Sequence, residues 1–180
     1  GERHALPEPF LVIATQNPIE FHGTYPLPEA QLDRFLMQIN LGYPAPEYEI
    51  SMLHAQAQSH PVDALTPVIT QTDIVAMQFK VRSVTVSDPV SRYIVNIVNA
   101  TRGDARLKVG VSPRGSLMLF RAAQASAFCA GRNYVLPDDV QRLAVPVLAH
   151  RIVLTSKAKY GGNGKVEVIA DVINAVKVPT

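Results

Sequence analysis

The chain has 180 residues, of which 47% are hydrophobic, which is enough for one sizeable core or two small ones. Its 17 Lys and Arg residues nearly balance its 15 Asp and Glu residues, so the formal net charge is only +2 at pH 7. That balance excludes the strong positive field of a dedicated nucleic-acid binder, and the apolar runs are far shorter than the ~18 residues of a membrane helix.

A single cysteine, Cys129, lies in an alanine-rich stretch with helical character. One cysteine cannot close an internal disulfide, so we expect a buried, small hydrophobic residue in a reducing compartment. The first ten residues, GERHALPEPF, also lack the charged-then-apolar pattern of a signal peptide. These features predict a cytoplasmic protein without a membrane span.

The first 43 residues have the pattern of a small α/β structure. Residues 10–15 form a continuous apolar run with β-branched residues, which is typical of a strand covered on both faces in a parallel sheet. A short helix is predicted over residues 29–36 and a second strand over residues 37–41. The proline-rich stretch at residues 43–46 is a stiff connector, so we predict two domains, residues 1–43 and 44–180.

Apolar residues recur at helical spacing throughout the predicted second domain. Three stripes define its main helices: Val90, Tyr93, Ile94, Ile97 and Val98; Leu117, Phe120, Ala123, Ala127 and Phe128; and Val140, Leu143, Ala144, Val147 and Leu148. Further helices are predicted over residues 46–58, 72–81 and 166–176. Leu136 occupies the cap position of the third stripe, where an apolar residue typically costs ~1 kcal/mol. The predicted fold class is an α/β piece followed by an all-α domain, mostly helical overall.

Asn17 is the first candidate for a functional role, because it follows the predicted strand of residues 10–15. Ligands bind beyond the carboxyl ends of parallel strands, and an amide there can orient a water molecule or contact a phosphate oxygen. An Asn-Pro step is also a common way to begin a turn, and the pattern alone favours that alternative.

Two arginines are the other candidates. Arg34 carries a permanent, forked charge that could reach a phosphate on a neighbouring subunit, although a surface ion pair or packing on Phe35 is the ordinary alternative. Arg114 follows Ser112-Pro113 in the first turn of a predicted helix, where the helix dipole favours an anion. An arginine at that position is often simply exposed to solvent.

Other kinds of site find little support in the sequence. The histidines at 4, 22, 54, 60 and 150 show no HxxxH or HExxH spacing, so a metal site is not expected, and the GxSxG elbow of a serine hydrolase is absent. Arg102, Arg106 and Lys108 surround a predicted turn and form either a phosphate or partner patch or an ordinary solvated loop.

Three motifs occur in a fixed order: ATQNP at residues 14–18, GTYPLPEAQLDRF at residues 23–35 and GVSPRG at residues 110–115. Together with the sequence around them they resemble the central block and helical lid of MoxR-type AAA+ ATPases, and the resemblance spans nearly the whole chain. It implies that Asn17 is the sensor-1 residue, that Arg34 is the arginine finger acting on the next subunit's nucleotide, and that Arg114 is the sensor-2 arginine of the lid.

The resemblance also implies an activity and partners. Members of this family hydrolyse ATP with Mg²⁺, assemble as rings, commonly hexamers, and act as chaperone-like machines that mature partner proteins or insert cofactors into them. Those partners often contain von Willebrand A domains. A nucleic-acid partner is not expected, because the charge is balanced and no basic recognition helix is evident.

One departure from the family pattern is decisive for the chemistry. No GxxxxGKS/T phosphate loop occurs in the sequence, since GGNGK at residues 161–165 has the wrong spacing, and the apolar strand ending in Asp-Glu is missing too. We therefore expect the chain to begin partway through the motor domain, to bind no ATP or Mg²⁺ alone, and to be inactive without the rest of the protein. The alternative of another class is a non-catalytic helical module for protein interaction or oligomerisation.

A truncated sheet also predicts a physical consequence. The strand at residues 10–15 would leave unpaired edges and apolar faces, so we expect either self-association between copies or a disordered N-terminal quarter.

Overall fold

The computed structural model describes residues 4–16, 27–57 and 60–179. The chain divides into two compact units, Gly1–Leu11 with Ile39–Met77 and Val12–Gln38 with Gln78–Thr180. The second unit thus takes residues from both sides of residue 43, and the division into domains 1–43 and 44–180 stays a prediction.

The described residues are mostly helical, which confirms the predicted fold class in outline. The helices are α1 (Glu29–Leu32), α2 (Pro46–Gln56), α3 (Gln71–Arg82), α4 (Asp88–Gly103), α5 (Pro113–Cys129), α6 (Pro137–Leu148), α7 (Ser156–Tyr160) and α8 (Lys165–Ala175), with short 3₁₀ helices at Pro61–Ala64 and Ala149–Arg151. The strands are β1 (Leu107–Val109) and β2 (Val153–Leu154). Every helix predicted from apolar spacing is present, and α7 is an additional short helix.

Neither of the two predicted strands is formed. Residues 10–15 and 37–41 have no strand pairing among the described residues, because a strand needs a hydrogen-bonded neighbour. The side chains of Phe10, Leu11, Val12 and Ile13 are 56–80% exposed. The exposed apolar run is the feature on which the self-association prediction depends.

The second unit also contains a small sheet that the all-α prediction missed. β1 and β2 pair antiparallel, with Leu107 opposite Leu154. The strands have three and two residues, too short to show the alternating pattern by which a strand is predicted from sequence.

Four helices of the second unit, α4, α5, α6 and α8, enclose its core. The first stripe is confirmed, since all five of its residues are at most 5% exposed, and in the third stripe every residue except the half-buried Leu143 is buried. The second stripe is wrong in part, because Leu117 is 53% exposed while Leu119 and Ala122 are buried. The buried face of α5 is rich in small residues, which let the flanking helices approach it closely.

One further expectation about the second unit is corrected. Cys129 is exposed, because it is the last residue of α5 and lies off the face that buries Ala123 and Ala127. The cost expected for the apolar cap at Leu136 stays a prediction: no side-chain cap hydrogen bond is formed there, although the Leu136 backbone N–H donates a hydrogen bond of 2.9 Å to Asp139 Oδ2. Within the described part of the chain, none of the helices combines the length and the apolarity needed to cross a bilayer.

Candidate functional site

The structure places two of the three predicted site residues. Arg34 and Arg114 both belong to the second unit, whereas Asn17 lies outside the described residues. The roles predicted for all three remain predictions at this point. The described residues define the surroundings of the two arginines.

Arg34 lies in the turn that follows α1 and is exposed. Its backbone N–H donates to the Gln31 carbonyl at 3.0 Å, which fixes the turn. Its guanidinium makes no hydrogen bond or ion pair with any residue that the structure describes. The ordinary alternative of an internal ion pair is therefore not realised within the described residues.

The segment carrying Arg34, residues 33–36, is held by a buried arginine, Arg151. Its side chain is fully buried, with an exposed fraction of 0%, and all five of its N–H groups have an acceptor. Four of these bonds go to the 33–36 segment: Nη1 to the carbonyl and carboxylate of Asp33, and Nη2 to the carbonyls of Phe35 and Leu36. The fifth runs from Nε to the Val147 carbonyl at 2.7 Å.

Asp33 is the point at which this segment meets the first turn of α5. One carboxylate oxygen lies 2.9 Å from Arg151 Nη1 and the other lies 3.7 Å from Arg114 Nη1. The Ser112 hydroxyl is within 3.3 Å and 3.4 Å of the two oxygens. The Asp33 side chain is 25% exposed, so it links the buried arginine to a solvent-facing one.

Arg114 is the second residue of α5 and its side chain is 48% exposed. The separation of 3.7 Å from Asp33 makes this a loose ion pair of the kind that contributes little to stability. Free backbone N–H groups in the first turn of a helix and the positive end of its dipole favour a negative group nearby. Arg114 is therefore available to an anion, with Asp33 as its resting partner.

Gly115 allows the first turn of α5 to approach Arg151. A Cβ at this position would lie 2.2 Å from Val111 Cγ1 and 3.3 Å from Arg151 Cδ. The glycine of the GVSPRG motif is thus required for packing, and it brings the turn bearing Arg114 against the buried arginine.

His150 supports the same segment from the neighbouring position. Its ring is buried, and Nε2 lies 3.3 Å from the Phe35 carbonyl oxygen, to which it donates. Burial lowers the pKa of His150 and the adjacent Arg151 charge lowers it further, so the ring is neutral at pH 7. A neutral histidine avoids placing a second buried cation beside Arg151.

Sequence reasoning missed Asp33, His150 and Arg151 as parts of this arrangement. Their contacts join positions more than 75 residues apart in the chain, which no local pattern reveals. One signal was present, since His150 and Arg151 stand between Leu148 and Ile152, and polar residues within an apolar run indicate buried polar contacts.

The predicted patch around residues 102–108 is mostly occupied by internal contacts. Arg106 pairs with Asp104 at 2.8 Å and with Asp171 at 2.6 Å, and Arg102 donates to the Val111 carbonyl at 2.9 Å. These contacts support the reading of an ordinary structural loop. In the parts of the chain that are described, no three acidic, histidine or cysteine residues form a group able to hold a metal ion.

Comparisons with known proteins place these features in context. Residues 99–172 match the family described as AAA lid domain, and residues 1–37 match the ATPase family associated with various cellular activities (AAA). Both matches lie where the corresponding motifs occur, since Arg34 falls in the second range and Arg114 in the first.

Individual proteins are similar to this chain over nearly its whole length. The chain is 47% identical to the Bacillus subtilis protein YeaC over 179 residues, covering 99% of this chain and 56% of the relative. It is 39% identical to the chaperone MoxR1 of Mycobacterium tuberculosis over 188 residues, covering 99% and 49%. It thus spans about half the length of the curated relatives it matches.

A solved structure shows the same fold. A crystal structure of a candidate ATPase from Cytophaga hutchinsonii superposes with a TM-score of 0.90 at 35% identity, covering 98% of this chain and 56% of the other.

Proposed function

Since this chain belongs to the family of MoxR-type AAA+ ATPases, we propose that the full-length protein hydrolyses ATP and acts on partner proteins as a chaperone. By full-length protein we mean the product of the whole reading frame that encodes this chain. The name of the relative MoxR1 supports the chaperone role. Our proposal extends to a ring of subunits in the cytoplasm, with client proteins of which some contain a von Willebrand A domain.

Within that proposal each candidate residue has a role. Arg34 is the arginine finger, which stabilises charge on the nucleotide of the neighbouring subunit, and Arg114 is the sensor-2 arginine, which contacts the nucleotide of its own subunit. Asn17 is the sensor-1 residue, which orients the attacking water. All three act on groups that another part of the protein must hold.

The observation that carries this proposal is the contrast between Arg34 and its neighbours. Asp33, Phe35 and Leu36 are fixed by Arg151, while the guanidinium of Arg34 is exposed and bonded to none of the described residues. A cation that acts on a neighbouring subunit must stand on a rigid base and point away from it.

The residues present fit a triphosphate only in part. Arg34 and Arg114 are exposed cations suited to phosphate oxygens, but the sequence has no GxxxxGKS/T loop. Bound ATP with Mg²⁺ would supply the phosphoryl group and its charge neutralisation. This chain contributes positively charged side chains placed to contact phosphate oxygens. We expect the chain on its own to show no ATP turnover.

The test is a pair of variants of the full-length protein, Arg34→Ala and Arg92→Ala. Arg92 is a matched control, because it lies on α4, is exposed and is unbonded to the described residues. We expect Arg34→Ala to lower ATP turnover by at least 10³-fold, in the range given for arginine fingers, while leaving nucleotide affinity nearly unchanged. Arg92→Ala should leave both unchanged.

Normal turnover in Arg34→Ala would remove the finger role. Absence of turnover and of nucleotide binding in the unmodified full-length protein would remove the motor altogether. That result would favour the alternative of a non-catalytic interaction module.

A further inference from the structure

We propose that Arg151 is a positioning residue for Arg34. It holds the 33–36 segment against the helical lid, so that movement of the lid is transmitted through Arg34 to the active site of the neighbouring subunit. This inference rests on the proposed role of Arg34 as arginine finger. Arg151 itself is fully buried and therefore cannot contact a nucleotide or another subunit directly.

The first argument is that the buried guanidinium of Arg151 directs most of its hydrogen bonds to the 33–36 segment. Burying a guanidinium is unfavourable unless its charge is paired and its donors are satisfied. Here Asp33 pairs the charge, and each of the five N–H groups reaches an acceptor. Four of the five bonds reach three residues, Asp33, Phe35 and Leu36, on either side of Arg34, and three of the four reach backbone carbonyls rather than side chains. Arg151 therefore fixes the path of the backbone that carries Arg34.

The second argument is that Arg151 makes more of the hydrogen bonds that hold this segment than any other residue. Helix α1 has four residues and none of them is buried. Its packing partner in the second unit is the 3₁₀ helix Ala149–Arg151, from which both His150 and Arg151 reach the Phe35 carbonyl. Loss of the arginine would leave the segment held by His150 at Phe35, by the Ser112 hydroxyl and the loose Arg114 pair at Asp33, and by the Gln38 N–H bond of 2.8 Å to the Pro146 carbonyl.

The third argument is the connection to Arg114. Asp33 accepts from Arg151 through one carboxylate oxygen and faces Arg114 through the other. When a phosphate draws Arg114 and the first turn of α5 toward it, Asp33 and Arg151 move with them or lose their contacts. In this proposal the predicted finger segment is linked to the predicted nucleotide sensor of the same subunit at Asp33, which Arg151 holds closely and Arg114 contacts loosely.

A lysine cannot replace this arginine. It has three donors on a single atom and lacks the planar fork that reaches Asp33 on one side and Phe35 and Leu36 on the other. Arg151→Lys therefore keeps the positive charge and removes most of the hydrogen bonds to the 33–36 segment. In Arg106→Lys the same substitution is made at an arginine that pairs with Asp104 and Asp171 and touches no part of the 33–36 segment, which provides the matched control.

The experiment measures ATP turnover, nucleotide affinity and hydrogen exchange in the full-length protein and in both variants. We expect Arg151→Lys to lower kcat by about 10- to 100-fold, the loss typical of a catalytic group displaced by about 1 Å, with nucleotide affinity within about twofold of the unmodified protein. Amides in the 33–36 segment should exchange faster, while those of α5 keep their protection. Arg106→Lys should leave kcat, nucleotide affinity and hydrogen exchange in the 33–36 segment unchanged.

Asp33→Asn is a second variant for the case in which Arg151→Lys fails to fold. It keeps the size of the side chain and removes the charge that pairs with Arg151, so kcat should fall while nucleotide affinity does not. Unchanged kcat in a folded variant of either kind overturns the proposal. Faster exchange throughout the second unit overturns it as well, because the arginine would then be a general structural residue.

Failure of this inference can be told apart from failure of the proposed function. If Arg34→Ala abolishes turnover and Arg151→Lys does not lower it, the finger role of Arg34 is kept and only the positioning role of Arg151 is rejected. If Arg34→Ala leaves turnover intact, the finger itself is rejected, whatever Arg151→Lys does.

Discussion

Asp139 is a buried carboxylate that stabilises the turn between α5 and α6. Its side chain is 3% exposed, and it accepts hydrogen bonds from Arg132 at 2.7 Å, from the Leu136 N–H at 2.9 Å and from Ser126 at 3.0 Å. Burial alone raises the pKa of Asp139, but the hydrogen bonds from Arg132, Leu136 and Ser126 outweigh it and hold the pKa below its ordinary value.

We expect Asp139→Asn to lower the free energy of unfolding by about 1–3 kcal/mol at pH 7, because it leaves charged donors without a carboxylate. Chemical denaturation is the measurement, and Asp138→Asn is the control, since Asp138 is exposed in the same helical turn. A folded pKa below the unfolded one means that the stabilisation is complete above about pH 4 and is lost as the pH falls through the folded pKa. The stability curves of the two proteins should therefore converge in acid, and a constant difference would contradict this account.

Single residues also show how far sequence reasoning reaches. Arg34 and Arg114 could be singled out from a motif and from helix-start chemistry, and the structure adds that both are exposed. The burial of Arg151 and its bonds to Asp33 and Phe35 depend on a fold that brings residues 33 and 151 together, and no spacing rule encodes that. Asn17 lies outside the described residues, so its role stays a prediction.

The close approach of β1 to α4 depends on Gly110. A Cβ there would lie 2.8 Å from the Arg102 Cα and 2.8 Å from the Thr101 carbonyl oxygen, and backbone atoms cannot move aside easily. The Thr101 hydroxyl accepts a hydrogen bond of 3.0 Å from the Val111 N–H at the same contact. The contact is thus tight and polar.

We expect Gly110→Ala to lower the free energy of unfolding by about 1–3 kcal/mol through overpacking. Thermal unfolding would measure the loss. Gly103→Ala is the control, because no atom lies within 4 Å of its added methyl group, and within the last turn of α4 alanine should be neutral or stabilising by up to ~1 kcal/mol. Equal effects of the two substitutions would show that the contact with α4 does not matter.

Helices were predicted better than strands for a physical reason. A helix closes its hydrogen bonds within the segment, so the stripe of α4 was read correctly from spacing alone. The face of α5 was misjudged because small residues, Gly115 and Ala122, form part of its contact and carry little hydrophobic signal. β1 and β2 depend on each other across more than 40 residues, which is beyond any local pattern.

The exposed apolar run at residues 10–13 predicts behaviour of the chain as a whole. Side chains 56–80% exposed on four consecutive positions are a template for association between copies. We expect the 180-residue chain to sediment as a concentration-dependent mixture of species, and Ile13→Lys to shift it toward the monomer. Tyr160→Lys, at a residue 90% exposed on α7, is the control and should leave the distribution unchanged. A monomer at all concentrations would contradict the prediction.

The central claim is that one subunit supplies Arg34 to a site whose Arg114 belongs to its neighbour. It is tested most directly by mixing full-length Arg34→Ala subunits with full-length Arg114→Ala subunits and measuring ATP turnover of the mixed assembly. Each variant alone should be strongly impaired. In the mixture, roughly a quarter of the sites combine an intact Arg114 with an intact neighbouring Arg34, so turnover should rise well above that of either variant. Turnover of a mixed assembly no greater than the average of its parts would contradict the account.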